Sequence, residues 1–157
     1  NEGIPVVQAI DALNGKVMLG NNILIVGGGL VGLETAEYLL TLNKKATAVE
    51  MMDKAGDGLN KSIQYFIFNT LKEAGVNIYT NTKVESFTKD GAICKNDNKE
   101  VRLSGYDMVI LAIGSKSYNP LEELKNHIKN IHLIGDVVKP RRIVDAVEEA
   151  ARLAITI

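Results

Sequence analysis

The chain has 157 residues, of which 46% are apolar and 24% charged, and its formal net charge is −1. That size sets an expectation of one domain with room for a core, and the near-zero charge gives no basic footprint for nucleic acid and no field toward an anionic membrane surface. No stretch approaches the ~18 uninterrupted apolar residues of a membrane helix, and the single cysteine, Cys94, excludes an internal disulfide, a cysteine-pair redox centre and a cysteine cluster for zinc or iron–sulfur.

No basic-then-apolar leader is visible, so a cytoplasmic protein is expected. The chain opens on Asn1 rather than methionine and closes at Ile157 inside a helical pattern, which suggests a segment of a longer protein. Residues 5–13 suit a first helix: Pro5 lies near its start, Val6, Ile10 and Leu13 form one stripe, and Asn14-Gly15 supplies a stop. Residues 23–26 are consecutively apolar and rich in β-branching, the mark of a short strand buried on both faces. Gly27, Gly29 and Gly32 follow in the spacing G-x-G-x-x-G. Residues 30–42 then read as a helix with Val31, Ala36, Leu39 and Leu40 available for its inner face, and residues 46–49 as a second buried strand ending on Glu50.

Gly56, Asp57 and Gly58 mark a loop, and Asn60 can cap a helix over 61–74 whose inner face comprises Ile63, Phe66, Ile67, Thr70, Leu71 and Ala74. Residues 76–79 form a third strand and complete a βαβαβ unit. Over 82–103 the pattern changes to three short strand-like stretches separated by Asp90-Gly91 and by Asn96-Asp97-Asn98, a three-stranded antiparallel meander. Residues 107–113 are again apolar and β-branched, a parallel strand closing at Gly114. Residues 121–124 form a helical turn, 131–134 a short strand that can add to the sheet as a fifth parallel member, remain displaced or swap between chains, and a last helix from about Arg141 buries Ile143, Val144, Val147, Ala150, Ala151, Ala154 and Ile155. The fold class is therefore α/β: a Rossmann-like parallel sheet flanked by helices, with an inserted three-stranded antiparallel β-meander.

The glycine-rich turn carries the chemistry. In such a turn the first glycine, Gly27, lets the chain leave the strand tightly. The second, Gly29, lets backbone approach a diphosphate. The third, Gly32, lets the helix pack closely on the strand. The amides over Gly28, Leu30 and Val31 then lie at a helix N-terminus, where free N–H groups and the helix dipole favour phosphate. Glu50, eighteen residues after Gly32, can accept hydrogen bonds from both ribose hydroxyls of an adenosine and repel a 2′-phosphate, which points to NADH over NADPH. Met51 and Met52 either pack against adenine or fill the loop. Gly114 either allows close cofactor approach or simply ends a strand. His127 and His132 lack the spacing of a metal site or a triad, and Cys94 reads as a structural thiol.

Together these residues resemble the flavoproteins with two dinucleotide-binding domains, in which an NAD(P)H domain is inserted into an FAD domain. The meander before the last sheet strand, Ala112-Ile113-Gly114 at that strand's exit, and the run 131–136 ending in Gly135-Asp136 are similar to theirs. The runs 27–37, 113–121 and 134–146, the last containing Lys139-Pro140-Arg141-Arg142, resemble the NADH:flavin oxidoreductases of the 2-enoate reductase, 2,4-dienoyl-CoA reductase and trimethylamine dehydrogenase type.

The resemblance implies residues 1–115 as an NAD(H)-binding domain, with the meander at 82–103, and residues 116–157 as the C-terminal remnant of an FAD-binding domain. It implies Glu34 near the nicotinamide, against an ordinary exposed helix position, and Asp136 on the flavin's ribityl chain, against a helix cap. Lys139, Arg141 and Arg142 face flavin or a neighbouring domain, or form a solvated basic patch. The implied parent enzyme carries a flavin barrel with FMN and an iron–sulfur cluster and reduces an activated alkene. The FAD domain's own glycine fingerprint is expected upstream of Asn1, so the chain alone is expected to bind NADH without turnover, with no catalytic residue of its own. Two other readings stay open: an NAD(P)H-dependent disulfide reductase-type flavoprotein, and a non-catalytic nucleotide-sensing Rossmann domain.

Overall fold

The computed structural model describes residues 3–157. The chain divides into two compact units, Asn1–Gly114 and Ser115–Ile157. In chain order the first contains β1 (Val6–Gln8), α1 (Ala9–Leu13), β2 (Asn22–Val26), α2 (Leu30–Thr41), β3 (Lys45–Val49), α3 (Lys61–Glu73), β4 (Asn77–Tyr79), β5 (Thr82–Phe87), β6 (Gly91–Asn96), β7 (Lys99–Ser104) and β8 (Met108–Leu111). Five strands form a parallel sheet in the order β1-β8-β2-β3-β4, and β5-β6-β7 form a separate antiparallel sheet.

The two faces of the parallel sheet are filled differently, and the alternation along β2 shows how. Ile23 and Ile25 point into a layer with Leu33, Ala36 and Leu39 of α2 and Ile67 and Leu71 of α3. Leu24, one residue out of phase, points the other way, into a layer with Val49, Val109 and the meander residues Ala92, Cys94 and Leu103. Period-two alternation thus sends successive apolar residues to opposite cores. The continuous apolar run is required because both faces are covered, one by helices and the other by the meander.

Several elements differ from the sequence expectation. Residues 5–13 are not one helix: Val6–Gln8 is an edge strand paired in parallel with β8, Val6 opposite Val109, and only Ala9–Leu13 is helical. Pro5 sits just before the edge strand, where its missing N–H costs nothing and its carbonyl accepts from the Val109 N–H at 2.8 Å. The helix buries Ala9 and Ala12, while Ile10 of the expected stripe is exposed. On α2 the inner face is Leu33, Thr35, Ala36 and Leu39; Val31 is exposed.

Asn60 does cap α3, its Oδ1 accepting from the Ser62 N–H at 2.9 Å. The buried line is Ile67 and Leu71, however, and Ile63, Phe66, Thr70 and Ala74 are exposed. Gln64 lies half-buried on the same side as Ile67 and Leu71, its side-chain amide facing the Ala55 and Gly56 carbonyls at 3.4 and 3.5 Å.

The second unit holds two 3-10 turns, Glu122–Asn126 and Gly135–Val137, and α4 (Ile143–Thr156). Residues 131–134 form no strand, and the fifth member of the parallel sheet is β1. A strand exists only against a neighbour, and none of the described residues of this unit provides one. For the same reason α4 buries no residue: Ile143, Val144, Val147 and Ile155 are all exposed. No helix of the described residues is long and apolar enough to cross a membrane.

Candidate functional site: the glycine turn between β2 and α2

The turn leaves β2 at its C-terminal end, and its glycines do three separable things. Gly27 has φ +109, a conformation that side-chain-bearing residues rarely adopt, and its N–H donates to the Val49 carbonyl at 2.8 Å. A Cβ on Gly27 would lie 2.4 Å from the Ala112 carbonyl oxygen, so the turn crosses the exit of β8 in van der Waals contact. A Cβ on Gly32 would lie 1.9 Å from the Gly27 carbonyl oxygen, so the first turn of α2 is seated directly on the glycine turn. Gly29 is the N-cap of α2, and a Cβ there would meet nothing within 4 Å. Its absent side chain leaves space open toward solvent.

The start of α2 has no side-chain cap and no acid in its first turn. Helix N-termini carry backbone N–H groups without intrahelical partners, together with partial positive charge. Leu30 and Val31 are exposed at this mouth. The site therefore presents donors and a positive dipole end beside an open glycine, a combination suited to an anion.

Glu50 follows β3 and reaches back to this turn. One carboxylate oxygen accepts from the Gly28 N–H at 2.7 Å, and the other from the Met52 N–H at 2.8 Å. A side chain on Gly28 would collide with Glu50, its Cβ lying 2.9 Å from the Glu50 Cβ. The carboxylate is thus tethered at the lip of the cradle. Each carboxylate oxygen retains a further lone pair for an incoming hydroxyl.

The structure brings Gly27, Gly28, Gly29, Leu30, Val31, Gly32 and Glu50 together. Met51 and Met52 lie exposed at the margin. Glu34 is exposed one turn along α2, and Gly114 closes the first unit with φ +89 and open space where a Cβ would be. Asp136 belongs to the second unit, exposed, with one carboxylate oxygen 3.4 Å from the donating Arg141 N–H. Arg141 and Arg142 do not form a free basic patch: Arg141 pairs with Glu149, and Arg142 with Asp145 at 3.3 Å.

The loop after Glu50 contributes to the site as well, which its composition does not foretell. The Gly56 N–H donates to the Gly28 carbonyl at 2.7 Å, and Ala55 is buried against Gly28. The glycines at 56 and 58, both at positive φ, are the only sequence signal of a tight return there.

A parallel sheet with helices on one face, a meander on the other and a glycine cradle at a strand C-terminus defines a Rossmann-like α/β domain. The chain belongs to the pyridine nucleotide-disulphide oxidoreductase family, whose family model matches residues 2–150. A metal reductase of Desulforamulus reducens is 33% identical over 98% of this chain and 27% of its own length. A cinnamate reductase of Clostridium sporogenes is 31% identical over 95% of this chain and 23% of its own. A solved 2-naphthoyl-CoA reductase superposes with a TM-score of 0.82 at 22% identity, covering 97% of this chain and 23% of that one. The resemblance to the enoate reductase type is thus met among these relatives, of which the chain spans about a quarter of the length. The family's description is that of oxidoreductases that use a pyridine nucleotide.

Proposed function

We propose that this chain is the NADH-binding module of a flavin-dependent oxidoreductase and that it positions NADH for hydride transfer to FAD. The observation that carries the reading is the Glu50 carboxylate held at the lip of the glycine turn by the Gly28 and Met52 N–H groups. The residues present fit the nucleotide: Gly29 leaves open the space a side chain would fill, and the uncapped α2 terminus supplies donors.

NADH supplies a hydride, and FAD accepts it. The chain's own residues bind and discriminate. Amides over Gly29–Gly32 receive the diphosphate while the Gly28 N–H holds Glu50, Glu50 accepts from the ribose hydroxyls, and Glu34, Met51 and Gly114 border the rest of the nucleotide. A 2′-phosphate would stand against the Glu50 carboxylate. At an effective dielectric of about 20, unit charges about 4 Å apart repel by roughly 4 kcal/mol, more than a hundredfold preference requires.

In the same reading residues 116–157 are the C-terminal part of an FAD-binding domain, with Asp136 on the flavin. The parent enzyme is cytoplasmic and carries a flavin barrel with FMN and an iron–sulfur cluster. It reduces activated alkenes such as enoates or enoyl-CoAs. The sequence has one G-x-G-x-x-G run, and NADH occupies it, so the ADP half of FAD is held by parent residues outside this chain.

Calorimetric titration of the chain with NADH and with NADPH tests the reading. NADH is expected to bind at least tenfold more tightly. Equal affinities, or no binding of NADH, would overturn it.

A further inference from the structure

The turn that carries Asp136 is held by Glu149, to which neither sequence motif nor family likeness gives a role, and by Arg141 turned toward Glu149. Gly135 is buried at φ +68, and a Cβ on it would lie 3.3 Å from the Ala146 Cβ of α4. Its carbonyl accepts from the Val138 and Lys139 N–H groups at 2.9 and 3.1 Å. Its N–H donates to Glu149 Oε2 on α4 at 2.7 Å. The other Glu149 oxygen pairs with the Arg141 guanidinium. Arg141 closes the circuit, because its backbone N–H is the donor facing Asp136 Oδ1 and its Nε donates to the Lys139 carbonyl at 3.3 Å.

Both members of the ion pair are about one-third exposed, so water screens the charge but does not surround it. Resting on the reading of Asp136 as a flavin contact, we propose that Glu149 and Arg141 are positioning residues that fix the Gly135–Asp136 turn and thereby aim the Asp136 carboxylate. Glu149 holds the peptide one residue before Asp136, and the Arg141 guanidinium holds Glu149 in that position. Asp136 needs this support because it is exposed on a three-residue 3-10 turn, and the helix behind it buries no residue of its own. An exposed carboxylate on an unsupported turn samples many directions, whereas a fixed one is pre-organised for a hydroxyl.

The test has two readouts. In the 157-residue chain, NMR hydrogen exchange at the Gly135 amide reports the Glu149 bond. Glu149→Ala is expected to speed that exchange at least about tenfold. Glu149→Gln, which retains an acceptor oxygen, is expected to stay within about threefold. In the longer flavoprotein carrying this sequence, FAD affinity and the visible circular dichroism of the flavin report the aim of Asp136. Glu149→Ala, Arg141→Ala and Asp136→Ala are each expected to weaken FAD about tenfold. The Glu149→Ala/Asp136→Ala double variant is expected to lose little more than either single, because a positioning residue acts through the one it positions.

Additive losses, or an unchanged Gly135 exchange rate in Glu149→Ala, would overturn the positioning role while leaving Asp136 as a flavin contact. An Asp136→Ala variant with wild-type FAD affinity would overturn the flavin contact itself, and the positioning role with it.

Discussion

Gly29 and Gly32 are three residues apart, and the structure gives their alanine variants opposite consequences. A Cβ on Gly32 lands 1.9 Å from the Gly27 carbonyl oxygen and 3.0 Å from its carbonyl carbon. Those are backbone atoms and cannot rotate aside, so α2 must lift by on the order of 1 Å from the strand it covers, an overpacking that costs about 1–3 kcal/mol. For a protein of this length that corresponds to a fall in Tm of roughly 3–12 °C. A Cβ on Gly29 meets nothing, and its φ of −71° suits alanine. Loss of unfolded-chain freedom stabilises Gly29→Ala by about 0.4–1 kcal/mol, and the weaker N-cap offsets a similar amount, so its Tm is expected within about 3 °C of wild type. The methyl group nevertheless projects into the space proposed for the diphosphate. Losing even one charge-assisted amide–phosphate hydrogen bond weakens binding by roughly tenfold to a hundredfold. Thermal melts followed by circular dichroism, paired with calorimetric NADH titration, separate the two. Gly32→Ala should melt early. Gly29→Ala should melt normally and bind NADH at least about tenfold more weakly. A Gly29→Ala variant with wild-type NADH affinity would refute the cradle, and a Gly32→Ala variant as stable as wild type would refute the placement of α2.

Three further outcomes follow from particular contacts. Glu50→Gln keeps one acceptor for the two N–H donors and loses the charge; NADH should weaken about tenfold and the preference over NADPH should collapse below about threefold, measured by the same titration. Burial raises the Cys94 thiol above its ordinary range. Its contribution to stability is therefore full below the unfolded thiol's pKa, about 8.5, and is lost as pH rises from there toward the folded value. Urea unfolding should accordingly show the wild-type advantage over Cys94→Ala shrinking between pH 8 and 10, and a constant gap would contradict the burial. Asn60→Ala removes the cap on the Ser62 N–H and should lower unfolding free energy by about 1 kcal/mol in the same assay.

The parts of the fold legible in the sequence are those where one physical requirement admits few residues. Gly27 sits at a positive φ and Gly32 where no Cβ fits, so their spacing announces the turn. Asp90-Gly91 marks the meander because Gly91 takes a conformation, φ +159, in which a Cβ would lie 2.0 Å from the Leu103 carbonyl oxygen. What escapes the sequence depends on partners distant in the chain. Val6 and Val7 fit a helix stripe or an edge strand equally, and β8, a hundred residues on, decides for the strand. Residues 131–134 have the composition of a strand, yet no strand of their own unit receives them. The expected α3 stripe is displaced because Ile63 and Phe66 are apolar without being core, while polar Gln64 turns inward to the loop carbonyls. On α4 the apolar face exists as a pattern but is not buried. At the closing loop the glycines at 56 and 58 mark a turn but not its contact with Gly28, and the Glu149–Arg141 pair has no short-range signature.

A crystal structure of the chain grown with NADH measures the central claim directly. Diphosphate density is expected against the amides of residues 29–32, with both adenosine ribose hydroxyls on the Glu50 carboxylate and the Gly28 and Met52 contacts of that carboxylate retained. Nucleotide bound elsewhere on the sheet, or a Glu50 carboxylate turned away from the ribose, would contradict it.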